Sequence, residues 1–209
     1  MPDRARRFSR IVTGAGPDFR KLPHPLYFSG KRLYIRDEQS VPSVLHERRY
    51  RTMDDSSDGA FRLSGCLRPE RCIVLERAGK REVLDKLIRL LSGPGGAGEE
   101  CEIARGIHAR ERLLSTGIGF GVAIPHVRLA SVRGLEIAAA LVRGGVADYG
   151  SPDAVPVRLV VMIVARIDQH ELYLRVLSRL SSLLKEDGFR ERVFGCADAA
   201  GLCAAFTED

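Results

Sequence analysis

Two glycine-rich stretches and one proline-histidine step are the places in this chain where residue type and spacing could support chemistry. Gly93-Pro94-Gly95-Gly96-Ala97-Gly98 meets the spacing G-x-G-x-x-G of a dinucleotide cradle. Such a cradle requires a strand before it and a helix opening on its last glycine. Here a helical pattern precedes it and Pro94 interrupts it, so it reads as a loop between helices. Gly117-Ile118-Gly119-Phe120-Gly121 lacks the Lys-Ser/Thr of a phosphate-binding loop, but it enters an apolar segment that ends in Pro125-His126. Glycine allows close approach of a backbone to another backbone or to a ligand, and proline sets the angle at which the next residue is delivered. The pattern therefore presents one imidazole at the end of a strand. A neutral imidazole, with an ordinary pKa of about 6.5, offers a nucleophilic nitrogen at cellular pH. On periodicity alone the plainer reading, a histidine that merely ends a strand, is the better one.

The elements that must position this residue follow from hydrophobic period. Cys72-Ile73-Val74-Leu75 reads as a short strand, and Arg81 to Leu91 puts Val83, Leu84, Leu87, Ile88 and Leu91 on one helical face. Glu99 and Glu100 favour the start of a second helix, running to about Leu113. The apolar segments Ile118 to Pro125, Leu135 to Val142 and Val155 to Ala165 read as strands, and the unbroken run from Leu159 to Val164 suits a strand buried on both faces. Helical patterns over 168–184, 188–193 and 197–206 close the chain. The fold class is α/β, a central mixed β-sheet flanked by helices.

Charge separates an arm from a body. The 209 residues carry 33 Lys+Arg and 27 Asp+Glu, a formal net charge of +6, but residues 1–52 hold 12 of the basic and 5 of the acidic residues, leaving 21 and 22 for the remainder. The basic excess therefore lies in the arm, whose prolines and short apolar pieces, Leu26-Tyr27-Phe28 and Leu33-Tyr34-Ile35, build no core. Residues 1–60 are expected to be a poorly structured basic extension and 61–209 a single domain. Met53, ahead of an acidic Ser-rich stretch, is the expected natural start of translation; a basic tail for nucleic acid is the competing reading of the arm. Five cysteines without a C-x-x-C pair, and without histidine at ligand spacing, argue against zinc or a disulfide framework and fit a reducing cytoplasm. The longest apolar run, Val155 to Ala165, contains Arg158 and falls short of the roughly 20 residues of a membrane span.

The residues around His126 resemble the phosphohistidine signature of the type-2 enzyme IIA domains, the fructose/mannitol/nitrogen-regulatory class of the bacterial phosphoenolpyruvate-dependent phosphotransferase system. That signature appears as Glu111, six residues, Ile118, Gly119, Phe120-Gly121, Val122, Ala123, Ile124, Pro125, His126. Val127 stands where a small residue is usual, and Phe120 replaces a frequent Asn. Asp148 to Asp153, followed by Pro156-Val157, is similar to the family's turn before its buried strand, and the resemblance spans roughly 61–209.

The resemblance implies that His126 is a phosphoryl acceptor and that Arg110, sixteen residues earlier, stabilises the phosphoryl group. Tyr173 falls where the family commonly has a second histidine. His170, one helical turn before it, is a possible substitute, and both are secondary hydrogen-bond donors. Ser115 and Thr116 offer hydroxyl groups or a turn cap. Bulky Val127 and Phe120 beside His126 would narrow access of a donor, as in an interaction module that is never phosphorylated. The implied function is a cytoplasmic phosphohistidine carrier or regulator. Its donor is HPr or the nitrogen-branch counterpart of HPr; its acceptor is a regulated target protein or a separate IIB component. The nitrogen-regulatory branch is favoured, because no IIB or IIC pattern lies within the 209 residues, and fructose/mannitol-type sugar uptake is the alternative. No cofactor, metal, membrane insertion or nucleic-acid partner is expected.

Overall fold

The structure, a computed structural model, describes residues 26–29, 32–36, 50–52, 63, 66–93 and 97–207. The chain divides into two compact units, Met1–Met53 and Asp54–Asp209. In the first, β1 (Leu26–Ser29), β2 (Arg32–Arg36) and β3 (Tyr50–Thr52) form one antiparallel sheet in that order. Two of these strands fall on the short apolar pieces of the arm. The expectations about the rest of residues 1–60, including Met53 and the acidic stretch after it, lie outside the described residues, as do His24 and His46.

The second unit runs β4 (Cys72–Leu75), α1 (Lys80–Ser92), α2 (Ala97–Leu113), β5 (Gly117–Gly119), β6 (Val122–Ala123), β7 (His126–Leu129), β8 (Glu136–Val146), β9 (Val157–Arg166), α3 (His170–Leu183), α4 (Asp187–Phe194) and α5 (Ala199–Thr207). Its mixed sheet has the order β4-β8-β9-β6-β5, with β7 also on β9. β8 lies antiparallel to one side of β9, while β6 and β7 lie parallel to the other.

Strand alternation divides the core between two layers. Val160, Met162 and Val164 of β9 pack with Val83, Leu87 and Ile88 of α1 and with Ile103 and Ile107 of α2. The intervening Leu159, Val161 and Ile163 are equally buried on the opposite face, where α3 lies against β9 and α4 and α5 lie against β8. Each such side chain contributes about 1.5–3 kcal/mol by leaving water. No helix among the described residues is long and apolar enough to cross a membrane.

Two local readings change. The segment from Ile118 to Pro125 is not one strand. Gly119, Phe120 and Gly121 all have positive φ, 95°, 57° and 71°, and reverse the chain between β5 and β6, which pair antiparallel. The downstream turn also has a longer reach than its sequence suggests. The Asp148 carboxylate accepts from the Lys80 backbone N–H at 3.0 Å. It caps α1, whose own N-cap, Gly79, has no side chain to do so.

Candidate functional site

β6 and β7 behave as a single strand with one break. Val122 pairs with Leu159, Ala123 with Val160 and His126 with Ile163, so the register on β9 is the same before and after Ile124-Pro125. His126 thus begins a strand rather than ending one, because Pro125 interrupts the pairing without shifting it. Within the break, the Ile124 N–H donates to the Thr116 carbonyl and the Pro125 carbonyl accepts from Ile163 N–H. The Ile124 carbonyl faces His126 Nδ1 at 2.8 Å. A carbonyl only accepts, so Nδ1 carries the proton and Nε2 is the unprotonated, nucleophilic nitrogen of the neutral ring.

The sheet face settles which neighbours the imidazole has. Val127 and Leu129 pack into the core under α1 and α2. His126 and Arg128, alternating with them, project to the α3 side. There the half-buried His126 ring meets Tyr173, buried in the first turn of α3, with ring centroids 6.1 Å apart and planes tilted by 55°. The Arg128 guanidinium carbon lies 5.6 Å from the centre of the same Tyr173 ring. Arg128 Nη1 lies 2.7 Å from His170 Nδ1. Of the residues identified from sequence, Tyr173 is therefore brought to His126, and His170 to Arg128. Alternation along β7 is the sequence signal that points to Arg128.

Arg110 lies on α2 and is 8% exposed. Its Nη1 donates to the Leu114 carbonyl at 2.7 Å, while Nε and Nη2 are buried and have no hydrogen-bond partner among the described residues. An unpartnered buried donor costs roughly 1–3 kcal/mol. Two of them on one guanidinium form a preference for an anion built into the structure.

Beside it, Glu111 organises a buried network. Its carboxylate accepts from Lys80 Nζ at 2.8 Å, from Tyr149 OH at 3.2 Å, from the Thr116 N–H at 3.3 Å and from the Thr116 hydroxyl. Burial, with Glu111 close by, pushes the Tyr149 phenol well above its ordinary pKa. Ser115 Oγ donates to the Tyr149 carbonyl at 2.9 Å. Ser115 and Thr116 are thus used in holding the loop between α2 and β5, the second of the two readings open to them. His108, which no pattern singled out, lies 2.8 Å from Asp85.

The two departures from the signature have local explanations. Val127 fits because its helical neighbour is Gly106, where a Cβ would stand 2.7 Å from Val127 Cγ2. Phe120 occupies the left-handed turn, its N–H donating to Asp153 at 2.7 Å and its ring lying under Arg190 at 4.7 Å. That turn adjoins Val122, whose partner Leu159 is four residues of β9 away from Ile163 beside His126, about 13 Å. Val127 thus faces α2 rather than the imidazole, and Phe120 lies along the strand from His126 rather than beside it. Gly106→Ala is expected to destabilise the fold by about 1–3 kcal/mol through overpacking. Val127→Ala in the same chain should recover most of that loss, so a double-mutant cycle in urea should show a coupling above roughly 0.5 kcal/mol. Additive effects would refute the pairing.

Residues 67–209 match the family model described as phosphoenolpyruvate-dependent sugar phosphotransferase system, EIIA 2. A PTS system fructose-specific EIIABC component of Bacillus subtilis is 38% identical over 57% of this chain, a match that takes up 19% of that protein. A nitrogen regulatory protein of Pseudomonas aeruginosa is 30% identical over 68% of this chain and 92% of its own length. Among solved structures, nitrogen regulatory protein IIA-Ntr from Neisseria meningitidis superposes with a TM-score of 0.62 at 28% identity, covering 69% of this chain and 99% of that one.

Proposed function

We propose a role for His126 from the fact that the chain belongs to the EIIA type-2 family of the phosphoenolpyruvate-dependent sugar phosphotransferase system. His126 accepts a phosphoryl group on Nε2 from HPr or its nitrogen-branch counterpart and passes it on or displays it. The observation that carries the reading is the hydrogen bond from Nδ1 to the Ile124 carbonyl, which fixes the tautomer and leaves Nε2 unprotonated. In the step itself, the N–P bond of the donor's phosphohistidine breaks as the Nε2–P bond forms, and the donor imidazole leaves as a neutral base. Such transfers ask little of a protein beyond in-line placement and charge stabilisation. Arg110 supplies charge, with a fork that suits two phosphoryl oxygens. Tyr173 and His170 are secondary donors at the rim.

The chain reads best as a cytoplasmic regulator of the nitrogen-branch type, because the nitrogen regulatory relative is matched over nearly its whole length. In that reading the phosphoryl group adds nearly two negative charges beside α3 and changes which target proteins bind. The identity to the fructose component favours the second reading, a carrier handing its phosphoryl group to a separate IIB component in sugar uptake. The test is incubation with phosphoenolpyruvate, enzyme I and HPr, followed by intact mass. The expected result is one acid-labile phosphoryl group on the wild type and none on His126→Ala. An unmodified wild type would leave the interaction-module reading, and a phosphorylated His126→Ala would move the site.

A further inference from the structure

We infer that Glu111 is a positioning residue for His126: through Thr116 and Ile124 it fixes the carbonyl that holds the imidazole in its reactive tautomer. This rests on the phosphoryl-acceptor reading of His126. An unbroken chain of hydrogen bonds joins the two side chains. The Glu111 carboxylate accepts from the Thr116 N–H at 3.3 Å and from the Thr116 hydroxyl. The Thr116 carbonyl accepts from the Ile124 N–H at 3.0 Å. The Ile124 carbonyl in turn accepts from His126 Nδ1 at 2.8 Å.

The local geometry lets this chain carry position. Ile124-Pro125 lies in the break between β6 and β7 and is fastened at two points, the Ile124 N–H on Thr116 and the Pro125 carbonyl on the Ile163 N–H at 2.9 Å. These two fastenings set the plane of the peptide between them, whose oxygen faces the imidazole. Ile163 belongs to the sheet, whereas Thr116 belongs to the loop between α2 and β5. That loop is held by what Glu111 holds. The carboxylate also accepts from Lys80 Nζ at 2.8 Å and from Tyr149 OH at 3.2 Å, which ties it to the start of α1 and to the turn before β9. An ionised carboxylate has about four lone-pair sites, enough for all these donors together. Glu111, Thr116, Tyr149 and Ile124 are buried, so each link acts at low dielectric and a lost one is not replaced by bulk water. If Thr116 moves, the Ile124 carbonyl turns and its bond to Nδ1 weakens. The imidazole proton can then pass to Nε2, and a protonated Nε2 has no lone pair to offer phosphorus.

The test reads the tautomer directly. In 15N-labelled full-length protein, at a pH about two units above the ordinary imidazole pKa of about 6.5, the ring 15N shifts separate a protonated nitrogen from an unprotonated one. The His126 signals are assigned by their loss in His126→Ala. Wild type, Glu111→Ala, Thr116→Val, Thr116→Ser and Phe206→Leu are compared, with initial rates of phosphorylation by phosphorylated HPr measured alongside over a range of HPr concentrations. The wild type is expected to hold its proton on Nδ1. Thr116→Val is expected to move the tautomer ratio toward Nε2–H by about 2- to 10-fold, the worth of one hydrogen bond. Its maximum rate should fall about 10-fold through misplacement, with KM for HPr unchanged. Glu111→Ala should shift both further, and Thr116→Ser, which keeps the hydroxyl, should restore both. Phe206→Leu loosens the edge-on Phe189–Phe206 pair in the other layer of the core, so it should lower the melting temperature and change neither readout. Should Glu111→Ala fail to fold, Thr116→Val decides. A Thr116→Val tautomer ratio or maximum rate equal to the wild type overturns the inference alone, and so does an equal shift in Phe206→Leu, the mark of general loosening. A wild type that takes no phosphate overturns the acceptor reading and the inference with it.

Discussion

Arg110→Met is expected to slow phosphorylation of His126 by about 10²-fold while leaving the melting temperature unchanged or higher. The rate follows from removing the buried cation, the melting temperature from what that cation lacks. Nε and Nη2 are enclosed without partners among the described residues, each a penalty of roughly 1–3 kcal/mol to the folded state. Methionine fills a comparable length with an adaptable apolar chain and removes both penalties. It gives up only the bond from Nη1 to the Leu114 carbonyl, worth about 1 kcal/mol. A residue that impairs stability and serves a reaction shows such opposed responses. Phosphorylation time courses alongside thermal melts check both halves. A large fall in melting temperature with an unchanged rate would mark Arg110 as a packing residue.

Glu111→Ala should destabilise the domain by about 3–5 kcal/mol, the largest stability effect expected here, because it breaks a buried pair and leaves the other partners in place. Lys80 Nζ, Tyr149 OH and both donors of Thr116 converge on that carboxylate. Urea unfolding followed by circular dichroism measures it. Glu111→Gln keeps an acceptor and should lose less. The same substitution has a spectroscopic mark. Burial is the main reason the Tyr149 phenol titrates high, and the Glu111 charge the next, so in Glu111→Gln the phenol should titrate lower than in the wild type though still above an exposed tyrosine. A mutant as stable as the wild type would show the network to be ornamental.

The two kinds of residue were not equally legible in the sequence. His126 could be singled out as the candidate acceptor because its surroundings are written locally: a proline before it, apolar residues around it, and a signature spacing from Glu111. The α1 stripe and the doubly buried β9 were legible for the same reason, since each is written in neighbouring residues. What escaped is non-local. Asp148 caps a helix that begins 68 residues earlier, and Lys80 meets Glu111 across two helices. Val127 looked oversized until Gly106 was seen beneath it. The glycine run was read as the start of a strand because positive φ at Phe120 cannot be deduced from a residue type that rarely adopts it. The pairing of Arg128 with His170 depends on β7 and α3 meeting, which only the sheet order supplies.

The unchanged register on either side of Ile124-Pro125 bears on how a modified and an unmodified molecule would differ. His126 is tethered to the same neighbouring strand from before and from after the break. The main chain beneath the imidazole has no slack to take up when a group is added. Free and phosphorylated forms are therefore expected to share one backbone, and a partner choosing between them would sense an altered field over an unaltered surface. Such a marker can be written and erased at the speed of the transfer itself, with no refolding step to wait for.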